Sequence, residues 1–353
     1  MSSIRRKANP HGGTVWQVRW RLPNGRERTK TFPTQKAAKQ YDAALTTSLA
    51  SGRIPDWRRG MVSLSQIHDA WMPTRQHLKA KTRESDVVNW RVHVGPAFGN
   101  WPVGKITAYA AQEWVNGLNV GASGKRSAMG LLRNLLDYAV RTGLVPVSPL
   151  SEVRLPPIPK RKPVFLTPEQ VEELASQLDG RNGDFVRLLS YLGLRVGELT
   201  ALQVCDLSTD LRRIHIHRSG SWVNGHLHID TPKTAAGART IPVPGRLKPI
   251  IEREIKGKTP DAPLFSAPMG GYFSAGNFLK RSGFKKAAAR LGVPALRIHD
   301  LRHTYASLAR SSGADLKTLQ VIMGHSSITV TADLYSHLYD DELDKVAIIL
   351  DTL

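Results

Sequence analysis

Proline sets the first constraint on this chain. From position 151 it reads Ser-Glu-Val-Arg-Leu-Pro156-Pro157-Ile-Pro159-Lys-Arg-Lys-Pro163. Each proline removes an amide donor and clashes with the preceding helical turn, so this run can be neither helix nor central strand. Proline at that density extends as a stiff tether. The chain must therefore divide here, and its 353 residues suffice for two or three domains, each with its own core.

The part before the tether divides again by pattern. Val15-Trp16-Gln-Val18-Arg19-Trp20-Arg21-Leu22 alternates as a strand does, Pro23-Asn24-Gly25 is a turn, and Arg26 to Phe32 returns. Thr34 caps a helix running to Ala50, with Gly52 just past its end. Residues 1–60 are thus expected to form a small three-stranded sheet backed by one helix. Residues 53–62 read as a connection. Ser63-Leu-Ser-Gln66 is a capping box, opening an all-helical domain over 63–150 with helices near 64–78, 82–94, 107–118 and 125–142.

Charge supplies the partner. Lys and Arg number 50 against 29 Asp and Glu, a formal net charge of +21 with a pI near 10.3. Residues 1–60 hold 13 of those bases and only 3 acids. Phosphates bound by such side chains release counterions, so a polyanion is the expected ligand, and nucleic acid leads over an acidic membrane surface because no strongly basic amphipathic helix occurs. On the small sheet the expected contacts are Arg19, Arg21, Arg26, Arg28 and Lys30, since strands can enter a major groove. No apolar run of membrane-spanning length and no apolar leader core occurs. The single cysteine, Cys205, allows no intramolecular disulfide. The cytoplasm is the expected compartment.

Past the tether, Thr167-Pro168-Glu169-Gln170 restarts helix. Three strand-like runs follow near 212–218, 226–231 and 239–243, and the remainder reads as helical. The chemistry collects here. The next apolar helix ends in Tyr191-Leu-Gly193-Leu-Arg195-Val-Gly197-Glu198-Leu, and Lys233 lies in the turn Thr231-Pro232-Lys233-Thr234. His299-Asp-Leu-Arg302-His303-Thr, Gly324-His325-Ser-Ser and Tyr335-Ser-His337 come last. A phenol can hold a phosphoryl group covalently, a guanidinium fork matches two phosphate oxygens, and an imidazole moves protons near neutrality. That is a kit for attacking a phosphodiester. A His-x-x-Arg spacing decides nothing by itself in a chain this basic; the order of the motifs does.

In that order the chain resembles the tyrosine recombinase family, phage and mobile-element integrases in particular. The resemblance implies an α+β, multidomain protein: an arm-type DNA-binding domain (1–60), a helical core-binding domain (63–150), a linker (151–163), and a mainly helical catalytic domain with a small antiparallel sheet (164–353). It implies a site-specific recombinase that integrates or excises an element. Tyr335 would attack the scissile phosphate to give a 3′-phosphotyrosyl link, and Arg195 and Arg302 would hold the non-bridging oxygens. Lys233 would protonate the leaving 5′ oxygen, His299 would take the tyrosine proton or hold the phosphate, and His325 would hydrogen-bond a non-bridging oxygen. No cofactor, metal or ATP is implied. The expected partners are core and arm DNA sites, a homotetramer on DNA, and accessory bending or directionality proteins. Leu192 departs from the small polar residue many members carry.

Residues outside that set have plainer expectations. Glu198 would orient an arginine, and His303 and His337 would pack beside the reacting groups. His215, His217, His226 and His228 form two His-x-His pairs that could hold zinc, but period-2 alternation on a sheet face accounts for them. The acidic and apolar tail 343–353 is expected to dock on a neighbouring protomer. A type IB topoisomerase-like enzyme is the alternative, and a regulator that keeps the fold without chemistry is a third reading.

Overall fold

The computed structural model describes residues 2–8, 14–21, 27–50, 59–159, 161–232 and 234–335. They fall into two units, Met1–Pro159 and Lys160–Leu353.

Unit one opens with antiparallel strands Ser2–Ala8, Thr14–Arg21 and Glu27–Phe32, the second in the centre, followed by helix Gln35–Ala50. Alternation buries Val18 and Trp20 against Ala38 and Leu45 of the helix. Directly paired residues share a face, and the register then sorts the basic residues. Arg28 pairs Trp20 and Lys30 pairs Val18, so both lie on the helix-covered face. Lys30 Nζ sits 4.5 Å from the Tyr41 ring centroid, a cation–π contact. Arg28 and Lys30 therefore do not join Arg19 and Arg21 on one open face, as the sequence reading expected. The open face carries Arg19 and Arg21, both paired with Glu27, together with Arg5 and Lys7 from the first strand. Arg26 lies outside the described residues.

The helical part follows. Ser63 and Gln66 close a capping box on helix Leu64–Trp71. The helix expected to run to about 78 instead tightens into a 3-10 turn, Met72–Arg75, where Pro73 cannot donate to the preceding turn. Helix Ala80–Asn89 runs on through a π turn, Trp90–Val94, into Gly95–Phe98. Helices Ala108–Gly117 and Ala122–Arg141 complete it. On the last, Leu131, Leu132, Leu135, Leu136 and Ala139 recur at helical spacing and are buried in one cluster with Leu64, Ile67, Trp71 and Phe98.

The tether is shorter than its prolines suggest. Val153 is buried with the helical cluster, Leu155 packs against it, and Arg154 exchanges two hydrogen bonds with the Gln112 amide at 2.8 and 3.0 Å. Arg126 donates to the Pro156 carbonyl at 3.1 Å. The first half of the run 151–163 is thus bound to the helices before it.

Unit two has helices Pro168–Ser176, Gly180–Leu192 and Val196–Ala201, then two separate two-stranded antiparallel sheets. Arg213–Ile216 pairs Arg239–Pro242, and Ser219–Val223 pairs His226–Asp230. The strand Ser219–Val223 has little strand propensity and was not expected from the sequence. It forms because it packs on Val196–Ala201 so closely that a Cβ on Gly197 would lie 2.6 Å from the Gly220 carbonyl oxygen. The His-x-His pairs therefore do not sit on neighbouring strands. His215 bonds Thr240 at 2.8 Å, and His217 lies beyond its strand against Arg218. Among the described residues no group of three or more His, Cys, Asp or Glu could hold a metal ion.

Helices Lys248–Ile255, Ala275–Arg281, Phe284–Arg290, Asp300–Ser311, Leu316–Met323 and Ile328–Tyr335 follow. The core gathers Phe185, Phe265, Phe273, Phe278 and Phe284 with Leu189, Leu199, Ile214, Ile241 and Leu301. No described helix is long and apolar enough to cross a membrane.

Candidate active site

The site is built on the C-terminus of helix Leu316–Met323. Its last carbonyls have no intrahelical partner and carry the negative end of the helix dipole. Three arginines from three separate elements take three consecutive carbonyls there. Arg239 donates to Ile322 O, Arg302 to Met323 O, and Arg195 to Gly324 O at 3.0 Å. Gly324 ends the helix in the left-handed region at φ 61°. A Cβ at Gly324 would lie 2.9 Å from both Ala236 O and Arg239 Nη1, so only glycine fits.

Glu198 joins the same three cations from below. Its side chain is 2% exposed. Arg239 grips it with two parallel bonds, Nη1 to Oε1 at 3.0 Å and Nη2 to Oε2 at 2.9 Å. Arg195 caps the start of Val196–Ala201 and gives Glu198 both its amide and Nη1, each at 2.8 Å. Arg302 Nη1 stands 3.7 Å from Oε2 and donates instead to Gly193 O at 2.7 Å. Burial by itself would raise the Glu198 carboxyl; the hydrogen bonds and charge of Arg239, with the Arg195 amide and Arg302, hold it below its usual range. Glu198 is therefore a carboxylate shared by arginines, as the sequence reading expected of it. Arg239, 4% exposed at its side chain, was missed. A single arginine at the start of a strand gives no sequence signal.

The arginines differ in access. The Arg195 side chain is 39% exposed, while that of Arg302 is 2% exposed with both terminal nitrogens on carbonyls. Arg195 is the open cation of the pair and Arg302 the buried one.

The histidines stand around this cluster. His299 heads helix Asp300–Ser311, and His303, one turn on, meets its ring edge to face at 4.9 Å. His325 follows Gly324 and bonds Thr331 Oγ1 through Nδ1 at 2.9 Å. Desolvation first, then the charge of Arg302, lowers the His299 pKa. Desolvation also pushes His303 and His325 down to about 4, with His299 next for the former and Arg302 for the latter. All three rings are neutral at pH 7 and can accept or donate a hydrogen bond there.

This has a stability consequence. Between the ordinary value of 6.5 and about 4, the unfolded chain binds protons that folded His303 and His325 do not. Stability is then present above the unfolded value and lost as pH falls towards the folded one. Melting of the free chain should change little above pH ~7 and fall below pH ~6, with a few kcal/mol lost by pH ~4.5. His303→Gln should flatten that fall. An equal slope in both proteins would remove His303 from the account.

Helix Ile328–Tyr335 brings the backbone of Tyr335 to the end of the described chain, shortly after His325. Lys233 and His337 lie outside the described residues. The residues that follow position 233 are held, however. Thr234 O accepts from Gly237 N at 2.9 Å, and Gly237 O accepts from Arg239 Nη1 at 3.0 Å.

Residues 164–342, half of the chain, match the phage integrase family. A tyrosine recombinase XerC of Bacillus pumilus (strain SAFR-032) is 31% identical over 247 residues, covering 67% of this chain and 77% of that protein. The ICEBs1 integrase of Bacillus subtilis (strain 168) is 27% identical over 351 residues and covers 93% of each chain. The Tn1549 transposon integrase, solved with transposon right-end DNA, shares the fold with a TM-score of 0.66 at 24% identity, over 81% of this chain and 100% of that one. The topoisomerase alternative finds no support among these relatives. With one open and two buried guanidiniums on a single helix terminus, neutral imidazoles beside them, and a tyrosine one short helix later, the chain belongs to the phage integrase family and is a tyrosine site-specific recombinase.

Proposed function

We propose that Tyr335 is the nucleophile and that the cluster around Glu198 is its phosphate site. The phenol oxygen bonds to phosphorus, the bond to the 5′ oxygen breaks, and Lys233 gives the proton that leaves with the 5′ hydroxyl. Rejoining runs the same step with a 5′ hydroxyl from a partner duplex, so no outside energy source is consumed. An unassisted phenol has a pKa near 10 and an alkoxide leaves badly, so both proton transfers are needed. Arg195 contacts a non-bridging oxygen, Arg302 stabilises the developing charge, His325 hydrogen-bonds a second oxygen, and His299 takes the tyrosine proton or holds the phosphate. The observation that carries this reading is the gathering of Arg195, Arg302 and His325 from distant motifs onto one helix terminus.

The test is recombination. Core sites selected from a randomised duplex pool by binding to the full chain are placed on two plasmids. Their joining without ATP is expected. Relaxation of a supercoiled plasmid lacking any such site, with no joining, would turn the reading towards a relaxing enzyme.

We further propose that the outer sheet face, Arg5, Lys7, Arg19 and Arg21, binds arm DNA, that residues 63–150 and 164–353 hold core DNA, and that protomers act as a tetramer in the cytoplasm, where host bending or directionality proteins assist. Tail 343–353, outside the described residues, docks on a neighbouring protomer. Two truncations test this division. Removing residues 1–60 should leave cleavage of core duplex within about threefold but cut integration by tenfold or more, because only the second DNA contact is lost. Removing 343–353 should impair pairing of sites before it impairs single-duplex binding. Full integration by the first, or unchanged pairing by the second, would refute the corresponding assignment.

A further inference from the structure

We propose that Arg239 is the internal counter-ion of the site, neutralising Glu198 so that Arg195 and Arg302 keep their charge for the phosphate. This rests on the reading of those two arginines as the phosphate's cations. Arg239 itself does not reach a ligand. Its side chain is 4% exposed, and its donors are spent on Ile322 O, Gly237 O and both oxygens of Glu198. It is a positioning residue.

The charge count carries the argument. Three guanidiniums surround one buried carboxylate, an excess of two cations. A carboxylate and a phosphate compete for the same planar fork, and in a desolvated site that competition is strong. Arg239 occupies both oxygens in parallel geometry at 3.0 and 2.9 Å, while the Arg195 guanidinium makes one bond beside its backbone amide and Arg302 stays at 3.7 Å. Without Arg239 both oxygens open towards the other two arginines, and the excess falls to one. Lysine could match the charge but not the paired grip. The lowered Glu198 pKa, which Arg239 does most to offset against burial, agrees with this arrangement.

The same contacts permit a purely mechanical role, in which Arg239 only fastens the Gly237 and Ile322 carbonyls. The two roles separate in a charge-compensation experiment. Full-length protein is mixed with a duplex carrying the selected core site and a nick that lets the released fragment diffuse away, and the rate of covalent protein–DNA adduct is read on a denaturing gel. Arg239→Met should react about 100-fold more slowly. Adding Glu198→Gln to Arg239→Met removes the competing carboxylate and restores the excess of two, so the double variant should recover to within about tenfold of wild type. A folded double variant no faster than Arg239→Met overturns the proposal, because fastening is lost equally in both.

Melting curves report folding. If either methionine variant does not fold, Arg239→Lys carries the test. It keeps the charge and loses the fork, and should stay within about tenfold of wild type. A folded Arg239→Lys slower than about 100-fold overturns the counter-ion role. Failure of the underlying reading looks different: wild type forms no adduct, or Tyr335→Phe forms one.

Discussion

Tyr335→Phe should bind the selected core duplex as wild type does and form no covalent adduct on it, a loss of at least about 10⁴-fold in cleavage. The substitution removes one oxygen and no cation, so the electrostatic attraction that holds the duplex is untouched. Helix Ile328–Tyr335 should persist, since phenylalanine and tyrosine differ little in helix propensity. Equal binding by gel shift with no adduct on the nicked duplex is the expected pair of results. An adduct at the wild-type rate would assign the covalent bond to another side chain and remove Tyr335 from the mechanism.

Arg195→Ala and Arg302→Ala should both abolish most cleavage yet part company in stability. Arg195→Ala deletes a side chain 39% exposed, so its bonds to Glu198 and Gly324 O are replaced largely by water. Adduct formation should drop about 10²- to 10³-fold while melting moves by a few degrees at most. Arg302 is 2% exposed and supplies donors to Gly193 O and Met323 O. Its loss strands two carbonyls, opens a cavity and weakens the charge balance of Glu198. Removing one member of such a buried set costs about 3–5 kcal/mol, a melting drop on the order of 10 °C for a domain of this size. If Arg302→Ala melted with wild type while losing cleavage, the buried bonds would contribute little and its role would be purely chemical.

The sequence carried the motifs proposed for the chemistry because each is short, ordered and composed of residues with distinct chemistry. Arg195, Arg302 and His325 could be named before any coordinates, and the carboxylate of Glu198 could be paired with an arginine from its spacing alone. Arg239 could not, because its partners are backbone carbonyls and a carboxylate 41 positions away. Nothing local marks such a contact. The basic residues of the first sheet illustrate a different limit. Reading the returning strand as one basic segment put Arg28 and Lys30 beside Arg19 and Arg21, whereas cross-strand register puts them on opposite faces and adds Arg5 and Lys7. A residue's face depends on its partner strand, which a single segment does not reveal. The strand Ser219–Val223 was hidden for a third reason: its glycine and serines earn their place through close approach to Gly197, not through propensity.

The row of carbonyls at Ile322, Met323 and Gly324 ties three parts of the chain into one cooperative knot. Unwinding the last turn of that helix would take one hydrogen bond from each of the three guanidiniums at once, leaving them on Glu198, Gly237 O and Gly193 O. Damage at separate positions in the knot should consequently overlap instead of summing, with paired substitutions costing less than their individual losses combined.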